Sequence, residues 1–81
     1  MFYVYILKST IDNDYYVGST NDLKKRFIEH NSGKVDSTSH RRPLELVYYE
    51  AYNREILARK RESSLKARGQ ARRWLLERII S

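Results

Sequence analysis

From Phe2 to Leu7 the chain is apolar or aromatic at every position (FYVYIL). A cluster of turn formers follows, Ser9-Thr10-Ile11-Asp12-Asn13-Asp14, and then a second aromatic stretch, Tyr15-Tyr16-Val17. Aromatic and β-branched residues on either side of such a cluster predict a β-hairpin, with Gly18 ending its second strand. The two-residue period of a strand puts Phe2, Val4 and Ile6 on one face and Tyr3, Tyr5 and Leu7 on the other. Tyr15 and Val17 join the first set as core, and Tyr16 joins Tyr5 on the opposite, polar face. Tyr5 and Tyr16 become near-opposite if the turn centres by Thr10 and Ile11. The turn formers centre slightly later, which leaves the register open by about one residue.

Leu23 and Phe27 then lie four apart, the spacing of one helix face. Thr20 or Asn21 can cap this helix and Asp22 suits its first turn. Asn31-Ser32-Gly33 stops it, with Gly33 suited to a left-handed C-terminal position. Residues 34–43 read as a polar, basic loop ending at Pro43, and Leu44 to Glu50 as a third strand. Asn53 is expected to cap a second helix reaching about Lys66, with Leu57, Ala58, Arg61 and Leu65 along one side. Gly69 breaks it, and Ala71 to Ile80 forms a last helix packed through Trp74, Leu75 and Ile79. The order β-β-α-β-α-α predicts an α+β fold, a three-stranded antiparallel sheet flanked by helices.

At 81 residues the expectation is a single domain over 1–81 with one thin core. There is no cysteine, which excludes disulfides and thiolate metal sites. No run approaches the roughly 18 apolar residues of a membrane helix, and the short apolar start lacks the basic leader of a signal peptide. A cytoplasmic location and no membrane partner are expected. Charge changes the picture more. Residues 1–40 carry five residues of each sign, whereas residues 41–81 carry eleven basic and five acidic ones, so the net +6 lies wholly in the second half. One-sided positive charge is the footprint of a polyanion binder, or else of a solvated basic surface.

Several side chains could carry chemistry. Two phenols on one hairpin face can orient a water, although tyrosines are also ordinary strand residues. Arg26 and His30 lie four apart, beside the Leu23/Phe27 stripe, so both project from one side of the helix. Arginine offers a planar fork to phosphate oxygens, and histidine exchanges a proton near neutral pH. Glu62, near the packing side of the second helix and among Arg59, Lys60 and Arg61, needs a partner. That partner is either a salt bridge or a hard divalent cation.

The succession Tyr3-Val4-Tyr5, Tyr16-Val17-Gly18, Arg26, His30 and Glu62 resembles the GIY-YIG nuclease domain, and most of all its small stand-alone bacterial members. The similarity runs from Phe2 to about Lys66, through YVYIL, YYVGSTNDLKKR, EHNSG and RPLELVY. The resemblance implies a metal-dependent endonuclease. Tyr5 and Tyr16 take the places of the motif tyrosines, one of which helps activate the attacking water. Arg26 takes that of the arginine gripping the scissile phosphate, and Glu62 that of the single glutamate holding one divalent metal, Mg²⁺ or Mn²⁺. His30 stands where many members have histidine and would shuttle a proton or assist the tyrosine. Ser19 follows Gly18 where some members place a lysine, which excludes a lysine base there, and no Asn follows Asn53.

A free phenol has a pKa of about 10, so a tyrosine base requires positive charge nearby, which Arg26 and the metal would supply. The basic loop, with Lys34, His40, Arg41 and Arg42, is expected along the substrate path, and Arg59, Arg61, Lys66, Arg68, Arg72 and Arg73 to extend it. Phosphate contacts of this kind give affinity without sequence recognition. Nucleic acid is the expected partner, DNA ahead of RNA, for a monomer that relies on substrate shape or on a protein partner for targeting. The alternative is a nucleic-acid-binding module of the same fold with little or no catalysis.

Overall fold

A computed structural model of the chain describes residues 1–67 and 69–80. Its elements are β1 (Phe2–Ser9), β2 (Tyr15–Thr20), α1 (Leu23–Asn31), β3 (Leu44–Tyr52), α2 (Glu55–Lys66) and α3 (Gln70–Ile80), with a 3₁₀ turn at Ser39–Arg41. The order is the expected β-β-α-β-α-α. The sheet is antiparallel in the order β2-β1-β3, so the apolar first strand is central.

The central position explains the unbroken apolar run. Val4, Tyr5, Ile6 and Leu7 are all buried, because both faces of the sheet are covered. On one face Val4, Ile6 and Val17 pack against Ala58, Leu65 and Leu75 from α2 and α3. Each fully buried aliphatic side chain there contributes about 1.5–3 kcal/mol. On the other face Tyr5, Leu7 and Leu44 pack with Tyr16 and with Leu23 and Phe27 of α1. The face expected to be polar is thus a second apolar layer under a helix.

The turn sets the register. The Ser9 amide donates to the Asp14 carbonyl, the Asn13 amide donates back to Ser9, and Asn13 takes the left-handed φ of 58°. The pairing that results sets Tyr5 opposite Gly18 and Leu7 opposite Tyr16. Tyr16 is therefore a diagonal neighbour of Tyr5, not its near-opposite partner. Gly18 does not end the strand, which continues to Thr20.

Helix α1 is capped by Asp22, whose carboxylate accepts from the Lys25 amide at 3.1 Å, in place of the expected Thr20 or Asn21. Its other end closes as expected at Gly33 (φ +82°), with Lys34 N–H donating to Glu29 and Gly33 N–H to His30. Asn31, which sequence reads only as a stop signal, clasps β3 instead. Its Nδ2 donates to the Leu44 carbonyl at 2.9 Å and its Oδ1 accepts from the Leu44 amide at 2.8 Å. The 34–43 loop is not wholly polar, because Val35 and Thr38 are buried beneath it.

β3 runs two residues longer than expected, and its pairing with β1 shifts register between Ile6 and Leu7, leaving Val47 as the extra residue. Arg54, not Asn53, occupies the cap of α2 and makes no side-chain cap bond. Leu57 was expected in the packing stripe but is 39% exposed, and Trp74 of α3 is 59% exposed. In both helices the buried seam is narrower than the run of apolar residues, passing through Ala58 and Leu65 in α2 and through Leu75 in α3.

Candidate active site

β1 carries Tyr5 into the layer beneath α1, where its ring lies over Gly18. A β-carbon at position 18 would fall 2.4 Å from the phenol oxygen and 2.5 Å from the carbon bearing it. Glycine at this point makes room for the tyrosine. The phenol is 1% exposed, and its oxygen is 2.8 Å from Nε2 of His30. His30 has no exposed surface, and its Nδ1 is 2.7 Å from the Thr38 hydroxyl. Tyr16 completes an aromatic cluster, its ring centre 6.5 Å from that of Tyr5 and 5.1 Å from that of His30.

The sequence placed Arg26 and His30 together at the edge of a buried stripe, but one helical turn separates two environments. Arg26 is half-exposed and forms a loose ion pair with Glu29 at 3.4 Å, whereas His30 is in the core. Arg26 is still near enough to the Tyr5 oxygen to favour its ionised form.

These contacts fix the protonation states. Burial raises the Tyr5 phenol most, Tyr16 and Glu62 add to this, and Arg26 opposes it. The result is a phenol pushed up to about 12. Arg26 favours the phenolate, but desolvation outweighs one half-exposed guanidinium acting without a metal. Burial, reinforced by the Arg26 charge and opposed by Glu29, pushes His30 down to about 4. At neutral pH the pair is a neutral phenol on a neutral imidazole.

Glu62 projects from α2 to Ser19 of β2. It accepts from the Ser19 hydroxyl at 2.8 Å and pairs with Lys66 at 2.9 Å. Burial works to raise this carboxyl, but the bonds from Lys66 and Ser19 win and hold it below the usual carboxylate range. A cleft of about 470 Å³ opens beside Ser19. It is lined by Asp22, Glu29 and Glu55 and by the cations Lys25, Arg26 and Arg59. Glu62 influences Tyr5 electrostatically, so phenol, guanidinium and carboxylate belong to one neighbourhood.

A family model described as the GIY-YIG catalytic domain matches residues 1–74. The chain belongs to the GIY-YIG family. The match continues past Lys66 into α3, further than the motifs alone suggested. A UPF0213 protein of Bacillus pumilus is 45% identical over 65 residues, which is 79% of this chain and 65% of that protein; the chain spans just under two thirds of that relative's length. A UPF0213 protein of Staphylococcus epidermidis is also 45% identical over 65 residues, covering 79% of this chain and 78% of that one. The solution NMR structure of a UPF0213 protein from Bacillus halodurans matches with a TM-score of 0.59 and 32% identity, over 98% of this chain and 85% of that one.

Membership places this GIY-YIG chain in a nuclease superfamily, and so with proteins that interact with nucleic acid. No helix among the described residues is long and apolar enough to cross a membrane. Nor, among them, do three or more His, Cys, Asp or Glu side chains cluster as a metal cage. A Mg²⁺-type site does not need one, since such ions keep several waters and take one or two carboxylates plus substrate phosphate oxygens. Glu62 fits that role as an ionised carboxylate bonded to Ser19, which lines the cleft, with Lys66 as its standing competitor.

The remaining basic residues divide. Lys34, His40 and Arg42 are exposed on or near the 34–43 loop. Arg41 bends back to Asp12 at 3.1 Å, tying the 3₁₀ turn to the hairpin turn. Arg61 lies in the packing, bidentate to Glu50 at 2.9 and 3.0 Å, while Tyr48 and Tyr52 each donate to the same carboxylate at 2.6 Å. Lys66 is committed to Glu62. Arg68 lies outside the described residues. Sequence reasoning missed Thr38, Ser19 and the spacing role of Gly18. None has a local signal, because each acts on a partner distant in sequence.

Proposed function

We propose that this chain is a divalent-metal-dependent endonuclease that hydrolyses phosphodiester bonds in nucleic acid, with DNA as the favoured substrate. The observation that carries the reading is the Tyr5 hydroxyl, which is hydrogen-bonded to a buried neutral histidine and acted on by both Arg26 and Glu62. Hydrolysis of a phosphodiester needs an activated water, neutralisation of phosphate charge and help for the leaving oxygen.

Arg26 binds the scissile phosphate with its guanidinium, for which Glu29 at 3.4 Å is only a weak rival. Tyr5, a neutral phenol, keeps its own proton donated to Nε2 of His30 and accepts a hydrogen bond from the attacking water, which orients it. The proton of the water passes to solvent, so that neither a phenolate, costly at a pKa near 12, nor an imidazolium, costly at a pKa of about 4, is formed. The hydroxide forms the new bond to phosphorus, the bond to the leaving oxygen breaks, and solvent protonates that oxygen. Tyr16 packs the edges of both rings and holds their geometry. Glu62 would hold one Mg²⁺ or Mn²⁺, which when bound supplies charge neutralisation at the phosphate and the leaving oxygen. Lys25 and Arg59 in the cleft, with Lys34, His40 and Arg42 on the loop side, supply sequence-independent attraction for the backbone.

The test is incubation with a panel of end-labelled structured DNA and RNA substrates, with Mg²⁺, Mn²⁺ or chelator. Nicks are expected with Mn²⁺ and none with chelator. Tyr5→Phe and Arg26→Ala should give no product, a loss of at least about a hundredfold for a group acting at the phosphate. If both variants cut as well as the parent, these role assignments fail.

A further inference from the structure

His30 is a buried ring with a partner on each nitrogen, the Tyr5 hydroxyl on Nε2 and the Thr38 hydroxyl on Nδ1. A neutral imidazole carries one N–H, so only two arrangements exist. In the first, Nδ1–H donates to Thr38 and Tyr5 donates to Nε2. In the second, Thr38 donates to Nδ1, and Nε2–H donates to Tyr5.

Donor and acceptor accounting separates them. Among the described residues the Tyr5 hydroxyl has one hydrogen bond in the geometry of the structure, the one to His30; of the charged groups that act on it, Arg26 is the one with hydrogen-bonding character, and it only donates. The second arrangement gives the Tyr5 oxygen two donors and leaves its own proton, in a 1% exposed group, with no acceptor. An orphaned buried donor costs about 1–3 kcal/mol. The first arrangement strands nothing. Thr38 accepts from Nδ1 and sends its proton to the Val35 carbonyl oxygen, 3.4 Å away.

We infer that Thr38 is a positioning residue that holds His30 as the Nδ1–H tautomer by accepting from Nδ1, so that Tyr5 donates inward to Nε2 and leaves its oxygen lone pairs to Arg26, which lines the cleft, and to the attacking water. The consequence rests on the nuclease reading above. With the opposite tautomer Tyr5 would present a proton to the attacking water, and could not accept a hydrogen bond from it. Thr38 is fully buried, so it sets this direction without contacting substrate.

The experiment reads the tautomer directly. The full chain is labelled with ¹⁵N-histidine, and long-range ¹H–¹⁵N correlation spectra are recorded on the parent, Thr38→Val and Thr38→Ser. His40→Gln identifies the signals of the other histidine. The parent is expected to show a protonated Nδ1 and a bare Nε2 on His30. Thr38→Val should move the proton to Nε2 and lower kcat at least tenfold with KM unchanged, and Thr38→Ser should restore both. A parent spectrum showing Nε2–H overturns the inference, even if Thr38→Val fails to fold. So does a Thr38→Val spectrum that keeps Nδ1–H. If the parent cleaves no substrate, the nuclease reading fails while the spectra still decide the tautomer.

Discussion

The Tyr5 ring occupies the space that a side chain at Gly18 would fill, and the two residues face each other across β1 and β2. Tyr5 is nearly inaccessible and hydrogen-bonded to His30, so it cannot yield cheaply to a β-carbon 2.4 Å from its oxygen. Gly18→Ala should cost about 1–3 kcal/mol, the usual cost of overpacking, and should lower the cleavage rate at least tenfold by displacing the phenol. Gly69→Ala, where a β-carbon meets open space, is the control and should be close to neutral in both respects. Urea unfolding and initial rates check both variants. A Gly18→Ala protein of parental activity would show that Tyr5 can move without consequence.

Glu62 has two suitors, Lys66 at 2.9 Å and the proposed metal. Glu62→Gln should abolish metal-dependent cleavage while nucleic-acid affinity remains. Lys66→Met removes the competitor, so the Mn²⁺ concentration for half-maximal cleavage should fall severalfold. If Lys66 instead binds a backbone phosphate, the slope of log affinity against log salt falls by about 0.9 for duplex DNA. Metal titrations and salt-dependent binding curves tell the two roles apart.

Arg61 and Arg59 sit on the same helix with opposite predicted phenotypes. Arg61→Met leaves the Glu50 carboxylate with two phenol donors and no cation, and should destabilise the fold by about 1–3 kcal/mol with an unchanged salt slope. Arg59 makes only a long, exposed pair with Glu55 at 3.7 Å. Such pairs contribute about 0–1 kcal/mol, so Arg59→Met should leave stability nearly untouched and reduce the salt slope by about 0.9. Thermal unfolding with binding at several salt concentrations checks both.

The buried imidazole gives stability its own pH dependence. His30 titrates at about 4 in the folded chain, below its ordinary 6.5, so between those values the unfolded chain holds a proton that the folded chain refuses. Its contribution is therefore complete above pH 6.5 and is lost as pH falls toward 4. The loss is on the order of 3 kcal/mol. Glu50 and Glu62, held low by their partners, lose theirs only below the ordinary carboxyl value of 4.5. Urea unfolding at half-unit pH steps should show a decline between pH 6.5 and 4.5 in the parent that is absent from His30→Gln.

The fold was largely legible because its signals are local. The apolar run of β1, the turn cluster after it, the Leu23/Phe27 spacing and Gly33 each report a preference that a few neighbouring residues decide. The errors cluster where a local signal is shared by several candidates. Thr20, Asn21 and Asp22 can all cap a helix, and only the path of the chain out of β2 selects Asp22. Leu57 and Trp74 are as apolar as their buried neighbours, and the narrowness of the seam leaves them outside.

By itself the sequence determined the element order and the family motif, since both depend on residue type and spacing along the chain. Tertiary structure alone decided that the tyrosine face is buried, that Gly18 yields its space to Tyr5, that His30 rests on Thr38 and that Arg61 is spent on Glu50. The reason is physical. Burial and hydrogen-bond pairing are properties of where distant segments meet, and they set the charge and direction of a functional group as strongly as its chemical identity does.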